Sequence, residues 1–195
     1  MNVQSYVKRV PGTKLLFALS SLFYADVRSG RLRTLIFIFL GNVLPDLLIF
    51  AHIRPSLWRL AGAKIDRPFS CAIRKGAFIE YAWQLRAGSH FQVGRDTYFC
   101  AHAPITVGNN VTLSLDCKIL TMHHEGLHHE VDIFKPITIA DGVIIYAGAI
   151  LLPGSIINTG TIVSAGAVFR GESEANAIYS GNPAKIVNTG GSHVA

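Results

Sequence analysis

The sequence predicts a parallel β-coil built from six-residue sides, preceded by an α-helical N-terminal segment. Three observations carry this. Large apolar residues recur every six positions at Ile139, Ile145, Leu151, Ile157, Val163 and Phe169. Gly142, Gly148, Gly154, Gly160 and Gly166 follow the first five of these by three residues. The chain also changes character near Gly62, from helical spacing to this period of six. At roughly 7% glycine usage, five glycines in one fixed frame is on the order of a one-in-a-million coincidence. Neither a helix (period 3.6) nor a half-buried strand (period 2) produces it.

Before Gly62 the reading is helical. Pro11-Gly12-Thr13 marks a break with Thr13 as N-cap, and Leu15, Leu19, Leu22 and Phe23 follow at helical spacing. A second apolar run, Leu35 to Leu40, ends at Gly41-Asn42. Pro45-Asp46 reads as the start of a further helix to Ala61, with Gly62 as its stop. Residues 35–51 are at the short limit for a membrane span. Asn42, Pro45 and Asp46 interrupt their middle, and a mid-membrane Asp costs roughly 2.5–3.5 kcal/mol. The expectation is a hairpin lying at a membrane interface, flanked by Arg28, Arg31, Arg33, Arg54 and Arg59. Helices packed on the protein itself are the second reading, and a true span the third.

Past Gly62 each hexapeptide makes a short strand and a corner. The large apolar residue fills the axis, and glycine permits a corner geometry that a Cβ would hinder. Three sides close a triangular turn of 18 residues, stacked by parallel hydrogen bonding. Val143, Ala149, Ser155, Thr161 and Ala167 supply small or β-branched corner residues. Upstream the frame continues through Ile73, Ile79 and Leu85, then Val93 and Phe99, then Val107, Leu113 and Ile119. Two-residue excesses before Val93 and before Val107 read as corner bulges. Twenty residues separate Ile119 from Ile139, so 123–135 is expected to be an extruded loop. Chemistry concentrates where a monotonous scaffold is interrupted.

Composition bounds the function. Of 195 residues half are hydrophobic and 15% are charged, with mean hydropathy +0.35. This excludes a disordered chain. Net charge is +6, but residues 1–75 hold twelve Lys/Arg against three Asp/Glu, while 76–195 hold six against nine. A basic, apolar N-terminal third suits an anionic membrane surface. No zinc spacing or aromatic-plus-basic module points to nucleic acid. Cys71, Cys100 and Cys117 are odd in number and form no CxxC, which fits a reducing compartment. No secretory signal is evident.

Three segments, VGNNVTLSLDCKILTMHH (107–124), KPITIADGVIIYAGAILLPGSIINTGTIVSAGAVF (135–169) and SGNPAKIV (180–187), resemble the hexapeptide-repeat acyltransferases. The similarity is to galactoside, maltose and nodulation-factor acetyltransferases and to polysaccharide O-acetyltransferases, over roughly half the chain. The lead-in RLAGAKI (59–65) is loosely similar to that of polysaccharide acetyltransferases. The resemblance implies an all-β, left-handed parallel β-helix of about five coils with an α-helical N-terminal segment. The divisions are then 1–62 helical, 63–187 β-helix and 188–195 a tail.

The resemblance further implies a homotrimer using acetyl-CoA as co-substrate, with active sites between subunits and no metal. The family's catalytic histidine lies five residues after an inward apolar residue, just before the extruded loop. From Ile119 this falls on His124, with its neighbour His123 in reserve. Histidine is available as a neutral base near pH 7. Glu125 and Glu130 are candidates to orient the ring. By frame, the positions lining the CoA arm are Ala147 and Ala165, and Arg170 and Lys185 are candidates for its phosphates. Relatives with simple sugar acceptors carry Asn near position 100. This chain has Cys100, with His102 close by, as the acceptor-side candidates.

The function implied is O-acetylation of a sugar in a cell-surface polysaccharide or lipid-linked precursor. The enzyme would be cytoplasmic, peripheral on the inner membrane face through residues 14–61. Three alternatives stand beside it. One is acetylation of a small molecule such as an antibiotic or amino sugar. Another is a zinc carbonic anhydrase using His102 with the pairs His123/His128 and His124/His129. The third is a non-enzymatic assembly platform.

Overall fold

The computed structural model describes residues 12–125 and 131–189. Helices α1 (Gly12–Ser29), α2 (Arg31–Val43) and α3 (Leu48–Ala61) precede a three-sided parallel β-solenoid of about five turns. Its first face stacks strands beginning at Lys64, Leu85, Ile105, Ile137 and Ile156. The second stacks strands beginning at Ala72, Gln92, Thr112, Ile144, Ile162 and Ala177, closed by the antiparallel strand Lys185–Thr189. The third stacks strands beginning at Phe78, Tyr98, Lys118, Ile150 and Val168.

The hexad frame is the core. Ile139, Ile145, Leu151, Ile157, Val163 and Phe169 are buried, as are Ile73, Ile79, Val93, Phe99, Val107, Leu113 and Ile119. Ile139 pairs with Ile157, Ile145 with Val163 and Leu151 with Phe169, one 18-residue turn apart. The five frame glycines have φ between +67° and +84°. In earlier turns the same corner is held by His90, Asp96, Asn110 and Asp116, with φ between +55° and +57°. Asn and Asp tolerate this left-handed conformation better than other side chains.

One frame assignment is corrected. Ala87, not Leu85, aligns with Val107 in the stacked register, and His90 follows it at the corner. The excess residues therefore lie between Ile79 and Ala87, where Ala82–Gln84 forms a short 3-10 turn. They do not lie before Val93. Leu85 and Ile105 are both buried one step ahead of the frame position, so apolarity alone did not fix the register.

Three departures from the period fall on one edge of the prism, between the third face and the first; a two-residue excess between Ile65 and Ile73 falls instead between the first face and the second, where Pro68–Ser70 forms a 3-10 turn, and the last turn is two residues short from Val163 to Tyr179. On this edge they are residues 80–84, 101–104 and, among the described residues, 121–125 with 131–136, at successive turns. The third is not a plain loop at its base. Met122–Glu125 and Val131–Phe134 form an antiparallel hairpin. Thr121 roots it to the preceding turn: its Oγ1 donates to Cys100 O (2.7 Å) and accepts from Ala103 N (2.9 Å).

The helices cap the solenoid. Trp58 of α3 is buried edge-on against Phe99, ring centroids 5.6 Å apart, and Ile38 and Ala61 join the same core. Helix α1 already includes Thr13, so Thr13 is not an N-cap. Helix α3 begins at Leu48, not Pro45. Pro45 and Asp46 instead lie in the α2–α3 connection, organised by Arg54. Its side chain, 1% exposed, donates to Gly41 O (2.9 Å), Leu44 O (2.9 Å), Pro45 O (3.0 Å) and Ile73 O (3.3 Å). Asp46 faces Arg54 at 3.9 Å, Arg74 at 3.0 Å and Arg95 at 2.5 Å. Burial acts to raise the Asp46 pKa, but Arg74 and Arg95 outweigh it and hold the carboxyl below its ordinary value. Arg54 is thus a buried knot and not a membrane-facing cation.

The α2–α3 hairpin packs on the solenoid with one side and leaves the other apolar and exposed. Phe39, Val43, Leu47, Leu48 and Ile49 all face outward. Among the described residues no helix is long and apolar enough to cross a membrane.

Candidate active site

His124 sits in the first hairpin strand, and the register places it opposite Asp132. Its Nδ1 lies 2.6 Å from Asp132 Oδ1. A carboxylate at that distance keeps the ring proton on Nδ1 and leaves the Nε2 lone pair as the basic position. Both side chains are about half exposed, so the pair can receive a substrate from solvent. His123 pairs opposite Ile133 and, by strand alternation, points to the other face of the hairpin.

The carboxylate in contact with the His124 ring is therefore Asp132. Of the expected candidates, Glu130 lies outside the described residues, as do His128, His129 and the end of the tail from 190. Glu125 pairs through its backbone with Val131.

Met122 and Phe134 pair on the same hairpin face as His124 and Asp132, one strand repeat nearer the solenoid. Phe134 stacks on His102 at 5.8 Å, with the planes 17° apart. His102 Nε2 lies 2.6 Å from Glu80 Oε2, while Glu80 Oε1 accepts the Tyr98 hydroxyl proton. Burial and the neighbouring Glu80 raise the Tyr98 pKa, keeping the phenol protonated. Cys100 is buried beside them, and burial first, then Glu80, pushes its thiol up to about 11. It is a neutral thiol at pH 7. Glu80, Cys100 and His102 form the one group among the described residues able to offer three metal-ligand atoms within 4.8 Å of one another. Neither His123 nor His124 belongs to it.

The expected acceptor residues Cys100 and His102 thus join the edge that carries His124. Glu80, Tyr81, Tyr98 and Phe134 complete this wall, and sequence reasoning missed them. The CoA candidates lie elsewhere. Ala147 and Ala165 stack one turn apart on the edge between the second and third faces, where Gly166 N donates to Ala147 O at 2.8 Å. Arg170 follows the last third-face strand, and Lys185 begins the closing antiparallel strand; both are exposed. Within one chain, His124 and the two alanines occupy different edges of the prism.

Comparison with known proteins agrees with this architecture. No family model matches the chain. A hexapeptide-repeat-containing acetyltransferase from Vibrio cholerae superposes with TM-score 0.74 at 22% identity, over 84% of this chain and 92% of that one. A maltose O-acetyltransferase from Clostridium difficile 630 gives 0.71 at 23%, over 80% and 84%. A galactoside acetyltransferase in complex with coenzyme A gives 0.74 at 19%, over 84% and 82%. The fold is the left-handed parallel β-helix of the hexapeptide-repeat acetyltransferases.

Proposed function

We propose that the protein is an acetyl-CoA-dependent O-acetyltransferase acting on a sugar hydroxyl, with His124 as general base. The observation that carries this reading is the His124–Asp132 pair, raised on a hairpin at the edge where three departures from the coil period are stacked. A sugar hydroxyl is too weakly acidic to ionise at neutral pH. Nε2 of His124 takes its proton as the oxygen attacks the acetyl carbonyl, and Asp132 stabilises the imidazolium that forms. The thioester C–S bond then breaks, and the proton returns from His124 to the departing sulfur. A backbone N–H near the hairpin stabilises the oxyanion. No metal enters this scheme.

Ala147 and Ala165 offer a close-approach surface for the pantetheine arm, with Arg170 and Lys185 as phosphate partners. Their position on another edge from His124 supports a site completed between subunits of a homotrimer: one chain supplies the base and its neighbour the CoA groove. Phe134, His102 and Tyr81 supply the wall beside the acceptor. The exposed apolar face of the helices, with the basic N-terminal third, favours an acceptor held at the cytoplasmic face of the membrane. A lipid-linked saccharide or polysaccharide precursor meets this description.

The test is acceptor-dependent CoA release from acetyl-CoA across free sugars, amino sugars and lipid-linked sugars, wild type against His124→Ala, with metal quantified on the same sample. Release confined to saccharide acceptors and lost in the variant supports the reading. Stoichiometric zinc without CoA release contradicts it.

A further inference from the structure

Beyond the catalytic edge, the α1–α2 corner forms an open depression of about 420 Å³ lined by Val27, Arg28, Ser29, Gly30, Arg33 and Trp83. Its volume is in the range of small-ligand sites. Two of the six lining residues are arginines. Asp26, the nearby acid, lies 3.8 Å from Arg31. Among the described residues no carboxylate lies in ion-pair range of Arg28 or Arg33.

Two glycines border the depression. A Cβ on Gly62 would come within 2.6 Å of Arg33 Nη2, and one on Gly30 would touch the Trp83 ring at 3.4 Å. Both glycines have positive φ, so the backbone there suits glycine and leaves the space to the arginine and the indole.

The depression also connects to the catalytic edge. Trp83 packs edge-on against Tyr81 at 5.1 Å, and Tyr81 against His102 at 4.7 Å; His102 stacks on Phe134 at 5.8 Å. Arg31 lies over the Tyr81 ring at 5.7 Å. An unbroken aromatic track therefore runs from the basic depression to the hairpin that bears His124. Aromatic faces suit the apolar faces of sugar rings, and paired guanidinium forks suit phosphate oxygens.

We propose that the Arg28/Arg33/Trp83 depression binds a phosphate or diphosphate group carried by the acceptor, and that the aromatic track supports the sugar between that group and His124. This rests on the acetyltransferase reading above and narrows its substrate to a phosphorylated saccharide. The phosphate can belong to a soluble sugar phosphate or to a lipid-linked one, and Val27 with the neighbouring exposed Leu22 and Phe23 would meet the lipid.

The experiment compares one sugar as its methyl glycoside, as its soluble 1-diphosphate and as its isoprenyl diphosphate in detergent micelles, for wild type and R28A/R33A. Pyrophosphate binding to both proteins is measured by calorimetry. The wild type is expected to favour the diphosphates over the neutral glycoside, and the double variant to lose that preference by about 100-fold, tenfold per arginine. Pyrophosphate should bind the wild type and at least tenfold more weakly the variant. A further gain with the isoprenyl form assigns the lipid-linked source, and equal use of both diphosphates the soluble one; either supports the site. An unchanged preference, with equal pyrophosphate binding to both proteins, overturns it. Pyrophosphate binding that depends on the arginines, in a protein that acetylates no sugar, supports the pocket and overturns the acetyltransferase reading.

Discussion

Asp132→Asn removes the carboxylate that fixes the His124 tautomer while keeping the size of the side chain. A charge-assisted hydrogen bond of this kind contributes roughly 1.5–3 kcal/mol when shielded from water. Here the two partners are 44% and 51% exposed, so water replaces part of the interaction. Halving the figure leaves about 0.75–1.5 kcal/mol of imidazolium stabilisation, worth roughly 4–13-fold in kcat. The asparagine amide can also donate to Nδ1, which moves the ring proton to Nε2 and removes the base. The expected loss for Asp132→Asn is therefore larger, roughly 10–100-fold, and greater than for Asp132→Ala. Steady-state kinetics with acetyl-CoA and the best acceptor would read this as lower kcat with KM for both substrates within about twofold. The loss should also be non-additive with His124→Ala, because the two residues act as a unit. Both Asp132 variants keeping kcat within twofold of wild type, or a loss confined to KM, would refute the orienting role.

Further outcomes follow from the same structure. Arg54→Met strips four backbone carbonyls of a buried donor and leaves Asp46 with one cation fewer; a cost of roughly 3–5 kcal/mol should lower Tm by about 10 °C in a thermal melt. Cys100, its thiol raised to about 11, holds about one thiolate in a thousand at pH 8. Its labelling by a thiol reagent in the native protein should therefore be slow and rise tenfold per pH unit through pH 9, and prompt labelling at pH 7 would contradict this. The exposed apolar face predicts co-sedimentation with anionic vesicles at low salt. Phe39→Ser/Leu48→Ser should weaken it at least tenfold, and lack of binding by the wild type would remove the membrane reading.

The coil was legible because its period is enforced by the axis: each inward residue from Ile139 to Phe169 must be large, and each corner must accept positive φ. The register near Leu85 was less legible, because Leu85 and Ala87 both face inward at that edge and the more apolar residue looks like the frame. That one shift hid Glu80, Tyr81 and Trp83 at the edge that carries His124. Frame and resemblance point to His124 as a candidate. They do not point to Asp132, whose place opposite it depends on the hairpin register, and sequence proximity favours Glu125 and Glu130 instead. Arg54 looked like a membrane-flanking cation, because a chain of exposed arginines surrounds it and only the α2–α3 connection reveals its carbonyl partners.

Direct acetyl transfer to a sugar hydroxyl by His124 is read in a single-turnover reaction with acetyl-labelled acetyl-CoA and a saccharide acceptor panel, following label on protein and on sugar. A base-labile ester on the sugar is expected, in one-to-one yield with CoA and with no label on the protein. His124→Ala should slow the step at least 100-fold. Label accumulating on the protein, or a His124→Ala rate equal to wild type, would contradict it.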